Sequence, residues 1–225
     1  MNFMIKHLAL IMDGNRRWAK KRSLQPWKGH EEGRDTLEII LNFCREKNIP
    51  EITLYTFSLQ NFKRSKQEVE FLLKLLKHTF QSDKYVSQLH DHQVQVHFLG
   101  RLHLFDKDLQ EILQTLEKET QDYDKYRLNI CLAYGGREEL VDAVRALVEA
   151  NEDVSEEAIA KHLYLSSEPD LIIRTGGEHR TSNFLPWQST YSEWFFIPEK
   201  WPEVTPEILD TIFKEFEARE RRYGT

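Results

Sequence analysis

The feature that most constrains the fold is an alternation of short β-type runs with longer helical patterns. Six runs rich in β-branched and aromatic residues read HLALIM, EITLYTF, VQVHFL, RLNICLAY, DLIIRT and EWFFI. Between them, apolar residues recur at three- and four-residue spacing, which predicts helices over 29–47, 66–90, 106–121, 137–150, 155–163 and 205–222. Strands that alternate with helices pair in parallel, so the sequence predicts an α/β fold.

No internal boundary divides the chain. Its 225 residues, of which 40% are hydrophobic, suffice for one substantial core. Repeats, low-complexity tracts and linkers rich in Pro, Gly or Ser are all absent from the sequence. We therefore expect a single domain over residues 1–225.

Charge and cysteine content narrow the classes of function. The formal net charge of −6 argues against a broad surface for nucleic acid, so any anion site must be local. Cys44 and Cys131 lie far apart in apolar contexts, which disfavours a disulfide framework and fits a reducing cytoplasm. No apolar stretch approaches the roughly 20 residues of a membrane-spanning helix. We expect a soluble, cytoplasmic protein whose contact with membrane lipid, if any, is peripheral.

The loop after the first run is rich in cations. The segment LIMDGNRRW stops its apolar run at Asp13, and positive charge continues through Lys20, Lys21, Arg22 and Lys28 to His30. Ligands of open parallel sheets bind beyond the carboxyl ends of the strands, where this loop lies. Helix amino ends, glycine amides and guanidinium groups donate to phosphate oxygens, and a carboxylate among them can hold Mg²⁺. The alternative is a solvated basic turn in which Asp13 caps a helix.

Two further loops carry similar residue types. TFSLQNFKRS follows the second run, and taken alone it fits a polar loop with one buried phenylalanine. RTGGEHRTSNF follows the fifth run and concentrates phosphate-binding residue types beside paired glycines. A third feature is the apolar face of EVEFLLKLLKHTF, which either packs in the core or walls an apolar channel.

Several phosphate and hydrolytic chemistries are excluded by inspection. No Gly precedes a Lys, so no Walker A loop exists, and no G-x-G-x-x-G opens a helix. No Asp-Asp pair occurs, so the signature of head-to-tail trans-prenyltransferases is missing. The H-E-x-x-H motif of zincins and the G-x-S-x-G elbow of hydrolases are also absent.

Five motifs together resemble those of the cis-prenyltransferase family. They are HLALIMDGNRRWA, GHEEG, TLYTFSLQNFKRS, YGGREEL and DLIIRTGGEHRTSNFLPWQSTYSEWFF, in family order through nearly the whole chain. The resemblance implies a single domain around a six-stranded, mainly parallel sheet flanked by helices, working as a homodimer. It further implies Mg²⁺-assisted condensation of isopentenyl diphosphate with an allylic diphosphate, expected to be farnesyl diphosphate. The product would be a long polyprenyl diphosphate, such as the undecaprenyl lipid carrier of cell-wall synthesis.

The resemblance also implies roles for individual residues. Asp13 would act in catalysis and hold Mg²⁺ with Glu193, and Asn61 would help to remove the proton. The allylic diphosphate would lie among Gly14, Asn15, Arg16, Arg17, Trp18 and His30, and near Ser58, Phe62 and Arg64. The diphosphate of isopentenyl diphosphate would be held by Arg174, Arg180, Thr181 and Ser182, and by Arg222 across the dimer interface.

The chain departs from the family pattern at several positions. Arg16 stands where Gly is usual and adds a bulky charge beside the diphosphate. Pro26 stands where an arginine is common, so we expect one phosphate contact of the family to be missing. Some relatives of this fold are catalytically silent partner subunits, which is the main alternative. Such subunits lose the aspartate and arginine motifs, which this chain keeps. A nucleotide-binding protein would need a glycine-rich strand-to-helix loop that is absent.

Overall fold

All six predicted strands form, and every neighbouring pair in the sheet is parallel. The computed structural model describes residues 5–219. The sheet has the order β3-β4-β2-β1-β5-β6. The strands are β1 His7–Ile11, β2 Glu51–Ser58, β3 Val94–Leu99, β4 Tyr126–Tyr134, β5 Leu171–Arg174 and β6 Glu193–Phe196. The predicted α/β class with a mainly parallel sheet is confirmed.

Helices flank this sheet. They are α1 Asn15–Lys21, α2 Pro26–Glu46, α3 Lys66–Phe80, α4 Asp83–Asp91, α5 Lys107–Thr120, α6 Gly136–Glu149, α7 Glu156–His162 and α8 Pro206–Ala218. Short 3₁₀ segments occupy Leu59–Lys63, Leu102–Leu104 and Trp201–Glu203. None of the helices within residues 5–219 is long and apolar enough to cross a membrane.

Three helical predictions need correction. The single helix expected over 66–90 is two helices, because Ser82 takes an extended conformation (φ −76°, ψ 120°) between α3 and α4. The segment after β1, which was expected to be a loop, contains the seven-residue helix α1. This helix begins after Gly14, whose backbone takes the left-handed conformation (φ 105°). The helix expected over 205–222 ends at Ala218, because Arg219 takes an extended conformation (φ −79°, ψ 138°). Residues 220–222 lie outside the described residues.

Strands β1 and β5 are buried along their whole length and therefore on both faces, which explains their continuous apolar runs. Leu8 and Leu10 of β1 belong to the larger core cluster, which also takes in residues of α2, α5 and α8. Ala9 and Ile11 point to the opposite face, into a smaller cluster around Phe184. The two cysteines are divided between these clusters and are free, and burial raises the pKa of Cys44 to about 12.

Register brings three loops to one edge of the sheet. Ile11 at the end of β1 pairs with Arg174 at the end of β5, and β2 runs beside β1 in the same direction. The segments that follow these three strands therefore converge at the carboxyl edge. They are the same three loops that the sequence singled out.

Candidate active site

A cleft of about 680 Å³ opens at the carboxyl edge of the sheet. Its mouth is polar and takes residues from all three converging loops, among them Asp13, His30, Asn61, Arg64, Arg174 and Ser182. Its inner wall is apolar and includes Leu37, Leu72, Leu76, Phe80 and Ile130. The apolar face of α3 therefore lines the cleft, while Leu72 and Leu76 also pack with the core. Such a cleft suits a ligand with a charged head and an apolar tail.

Asp13 and Arg174 form the central ion pair of this mouth. Arg174 is only 3% exposed, and its Nη2 donates to Asp13 Oδ2 at 2.9 Å. The backbone amide of Gly14 donates to Asp13 Oδ1 at 2.6 Å. Burial by itself would raise the pKa of Asp13, but the hydrogen bond from Arg174 and the charges of Arg17 and Arg174 bring it below its ordinary value. Asp13 is therefore a carboxylate at neutral pH.

The other arm of Arg174 organises the loop after β5. Its Nη1 donates to the carbonyl oxygen of Arg180 at 2.5 Å and to Ser182 Oγ at 2.6 Å. Arg174 Nε is buried and makes no hydrogen bond within residues 5–219. One guanidinium thus joins the loop after β1 to the loop that carries Arg180 and Ser182.

Glu178 ties two more arginines to this network, although the sequence analysis gave it no role. Its carboxylate accepts from Arg17 Nη1 at 3.2 Å and from Arg180 Nη1 at 2.6 Å. Arg17 Nη2 also lies 3.3 Å from Asp13 Oδ1. Gly176 (φ 87°) permits this approach, because a Cβ there would lie 2.6 Å from Arg17 Nη2.

A second cluster of polar groups surrounds His30 on α2. Burial, aided by the positive charges of Arg64 and Arg16, lowers the pKa of His30 to about 4, so the ring is neutral at pH 7. His30 Nε2 and Asn15 Oδ1 are both buried, and neither has a hydrogen-bond partner within residues 5–219. Buried polar atoms are rarely left unpaired, so these two atoms mark a place for a polar ligand.

Glu68 holds the two arginines that face His30. It is 7% exposed, and its Oε1 lies 3.0 Å from Arg64 Nη1 and 3.6 Å from Arg16 Nε. Arg64 lies just before α3 and Glu68 lies in its first turn, four residues later, which is the spacing of a helical ion pair. The sequence analysis did not assign Glu68, although that spacing was visible in it.

The segment after β2 combines hydrogen bonding with aromatic packing. Asn61 Oδ1 accepts from the backbone amide of Ser58 at 3.0 Å, which fixes the 3₁₀ turn against the end of the strand. Phe62 packs against Phe57 and Phe105, with ring centroids 5.0 and 5.8 Å away. Ser58 and Asn61 therefore line the cleft while Phe62 anchors their turn in the core.

Comparison with known proteins identifies the family. Residues 11–224 match the prenyltransferase family model described as "Putative undecaprenyl diphosphate synthase". The chain belongs to the cis-prenyltransferase family. It is 45% identical to the tritrans,polycis-undecaprenyl-diphosphate synthase (geranylgeranyl-diphosphate specific) of Pyrococcus furiosus, over 97% of this chain and 86% of that one. It is 41% identical to the isoprenyl transferase of Thermus thermophilus, over 98% of this chain and 89% of that one.

Comparison with a solved structure agrees with the assignment to the cis-prenyltransferase family. Lavandulyl diphosphate synthase from Lavandula x intermedia, in complex with dimethylallyl diphosphate, superposes with a TM-score of 0.92 and 32% sequence identity. The superposition covers 99% of each chain. The chain is accordingly a prenyltransferase.

Three described residues assigned from the cis-prenyltransferase resemblance lie apart from the cleft and from the ion pairs and hydrogen bonds around its mouth. Trp18 lies on α1, where Arg22 stacks over its ring at 4.2 Å, and Thr181 is exposed on the loop after β5. Arg222 lies outside the described residues. Glu193 begins β6 and pairs with Arg219 Nη1 at 2.6 Å.

The position of Glu193 bears on the predicted metal pair. Register places Glu193 level with Leu171 and Leu8, whereas Asp13 lies beyond the carboxyl end of β1. Five residues of strand separate the two levels, or roughly 15 Å. No cluster of three or more His, Cys, Asp or Glu residues suited to a metal ion occurs within residues 5–219. Among the described residues that line the cleft, Asp13 is the one carboxylate.

Proposed function

We propose that the chain is a Mg²⁺-dependent cis-prenyltransferase that adds isopentenyl diphosphate units to an allylic diphosphate. The product would be a long polyprenyl diphosphate such as undecaprenyl diphosphate. The observation that carries this proposal is the Asp13–Arg174 pair at the mouth of a cleft that has a cationic rim and an apolar inner wall. A diphosphate head and a growing isoprenoid tail match these two regions.

The cleft offers two places for a diphosphate. The first lies around His30, Arg16, Arg64 and the Gly14–Asn15 turn, where two buried polar atoms have no hydrogen-bond partner among the described residues. We assign it to the allylic diphosphate. The second lies around Arg174, Arg180 and Ser182, and we assign it to isopentenyl diphosphate.

Asp13 and Arg174 connect the two places. Cleavage of the allylic C–O bond leaves positive charge on carbon and gathers negative charge on the departing diphosphate. Arginines fixed before the reaction stabilise that charge without reorganising, which lowers the barrier. The second diphosphate place orients the double bond of isopentenyl diphosphate towards the electrophilic carbon. Asn61 is assigned a part in removal of the proton that completes the addition.

Asp13 is the residue that we propose as a Mg²⁺ ligand. Its side chain is 31% exposed at the mouth of the cleft, and Mg²⁺ is commonly bound by one or two carboxylates together with substrate phosphates. The bound ion would neutralise charge on the diphosphate oxygens. The role of Glu193 as a second ligand stays a prediction.

The relatives bear on the choice of starter. Farnesyl diphosphate is the expectation from the sequence, whereas relatives 45% identical to the chain carry the description geranylgeranyl-diphosphate specific. We propose geranylgeranyl diphosphate as the preferred starter on this ground. The free, buried cysteines within residues 5–219 support a reducing, cytoplasmic location. Service as a cell-wall lipid carrier and peripheral contact with lipid during product release remain parts of this proposal.

Incubation with labelled isopentenyl diphosphate, Mg²⁺ and an allylic diphosphate tests the function directly. We expect incorporation into a long-chain product, with a higher kcat/KM for geranylgeranyl than for farnesyl diphosphate. Chain length is read by chromatography after removal of the phosphates. If no label is incorporated with any allylic starter, the chain is a silent partner subunit. If farnesyl diphosphate is preferred, the proposed starter is wrong and the reaction class stands.

A homodimer is a further part of the proposal. β6 is one of the two outer strands of the sheet in the described residues, and Tyr191 just before it is 59% exposed. Val141 and Val144 are both about half-exposed and form an apolar stripe on α6. Outer strands and apolar stripes of this kind favour association. We propose that Arg222 of one subunit completes the isopentenyl diphosphate place of its partner.

Mixing two inactive variants tests the shared site. An Arg222→Ala chain and an Asp13→Asn chain should each have low activity, and subunit exchange should restore it. The mixed dimer would hold one intact site and one site that lacks both groups, because the two residues would act in different subunits. Sedimentation and labelled subunits would confirm the dimer and the exchange. Failure to regain activity after proven exchange would exclude the trans contact.

A further inference from the structure

The loop that carries Ser182 is fastened to the amino end of α6 by Asn183. Ser182 and Asn183 both adopt the left-handed conformation, with φ values of 53° and 64°. Asparagine tolerates that conformation better than most residues, but serine does so only when neighbouring contacts hold it. The conformation of Ser182 therefore depends on what secures Asn183.

Three hydrogen bonds secure Asn183. Its carbonyl oxygen accepts from the amide of Gly136 at 2.8 Å, and its Oδ1 accepts from the amide of Arg137 at 2.9 Å. Its Nδ2 donates to Glu138 Oε2 at 2.9 Å. The first amides of a helix have no partner within the helix, so the asparagine satisfies groups that α6 leaves open.

The paired glycines of YGGREEL make room for this contact. A Cβ at Gly135 would lie 2.3 Å from Glu138 Oε2 and 2.9 Å from Asn183 Nδ2. A Cβ at Gly136 would lie 1.9 Å from Pro186 Cδ. The YGGREEL motif therefore has a physical explanation, because its glycine backbone and Glu138 contact the loop that follows β5.

The fold of this loop has other anchors besides Asn183. Phe184 is fully buried and stacks on Tyr55 at a centroid distance of 4.7 Å. Loss of the Asn183 side chain should therefore leave the loop packed. Its effect should fall on the neighbouring Ser182, whose Oγ accepts from Arg174 and whose carbonyl oxygen accepts from Tyr55 Oη at 3.3 Å.

We propose that Asn183 is a positioning residue for the second diphosphate place. By fixing its own backbone on α6, it holds Ser182 in the left-handed conformation and aims the Ser182 hydroxyl and the Arg180 carbonyl at Arg174. Identification of the ligand as isopentenyl diphosphate rests on the proposed function. The positioning of Ser182 by Asn183 depends only on the contacts of the ligand-free chain.

The proposal is tested with substitutions that first break the Asn183–Glu138 hydrogen bond and then restore it with donor and acceptor exchanged. Asn183→Asp keeps an acceptor for the Arg137 amide but sets a carboxylate against Glu138. In Asn183→Asp/Glu138→Gln the glutamine amide donates to the new aspartate, so the hydrogen bond returns with its direction reversed. We expect Asn183→Asp to weaken isopentenyl diphosphate binding about tenfold, as for loss of one buried hydrogen bond, and the double variant to recover most of it.

Affinity is read by calorimetric titration of isopentenyl diphosphate alone, so the test does not require turnover by the wild-type chain. Titration of the allylic diphosphate should show a change of less than about twofold, because its place lies on the other side of Asp13. Asn183→Gly is a second variant, since glycine adopts the same backbone conformation without the side-chain contacts. It should weaken isopentenyl diphosphate binding as Asn183→Asp does. Circular dichroism confirms folding of each variant.

Three outcomes would overturn the proposal. The first is unchanged affinity for isopentenyl diphosphate in Asn183→Asp and Asn183→Gly. The second is equal loss of affinity for both diphosphates, which would indicate a general structural role. The third is a folded double variant that does not recover. Absence of turnover by the wild-type chain would instead count against the proposed function and leave these affinities to decide the positioning role.

Discussion

Asp13→Asn should lower kcat by about 100-fold or more while the protein stays folded, an effect comparable to loss of one preorganised charge-stabilising group. The asparagine Oδ1 can still accept a hydrogen bond from Arg174, which donates to Asp13 at 2.9 Å in the wild type. The substitution removes the negative charge, and with it the proposed ligand for Mg²⁺. Steady-state kinetics at saturating concentrations of both diphosphates would measure the effect, and circular dichroism would check the fold.

Two further variants test whether the loss of kcat is specific to the carboxylate of Asp13. Asp13→Ala should lower activity as much and should also lower the free energy of unfolding, because it leaves the buried guanidinium of Arg174 without its carboxylate. Glu178→Gln removes another negative charge beside Arg17, and its effect on kcat should be much smaller. If Glu178→Gln and Asp13→Asn lowered kcat equally, loss of general charge balance would explain both, and the role given to Asp13 would be wrong.

The strands were predictable because burial on both faces selects continuous apolar runs. β1 and β5 are buried along their whole length, and their sequences HLALI and LIIR carry that signal directly. Helix α1 was not predicted, because its seven residues, NRRWAKK, have no apolar periodicity. Its amino end depends on the left-handed Gly14, a conformation that the sequence does not reveal by itself.

The residue types of the site were predictable, but most of its contacts were not. Asp13 and Ser182 stand out because they lie in loops that follow buried strands, and Arg174 because it ends such a strand. His30 stands out because it lies near the amino end of α2. The partnership of Arg17 with Glu178 joins residues 161 positions apart, so only the folded chain creates it. Glu193 is a residue whose motif resembles that of the family but whose position differs from that of Asp13. The register of β6 places Glu193 at the amino edge of the sheet.

Arg174 is the residue on which the largest part of the site geometry depends. Its guanidinium donates from Nη2 to Asp13 and from Nη1 to the Arg180 carbonyl and Ser182 Oγ. A planar fork makes such divergent hydrogen bonds at the same time, whereas an ammonium group is a single point of charge. The shape of Arg174, as much as its charge, therefore joins the two diphosphate places.

Arg174→Lys should consequently lower kcat/KM for isopentenyl diphosphate about 100-fold. The lysine keeps the positive charge, but at least one charge-assisted hydrogen bond and the connection between the two loops are lost. Both kcat and KM should change, since Asp13 and Ser182 each lose a fixed partner. Arg180→Lys is the matched control, because Arg180 is mostly exposed. Within residues 5–219 its guanidinium makes one hydrogen bond, to Glu178, and lysine can reproduce it. Steady-state kinetics with each substrate varied in turn would compare the two. Unchanged activity in Arg174→Lys would mean that the site requires only positive charge at this position. Equal losses in both variants would mean that the fork of Arg174 has no special part in organising the site.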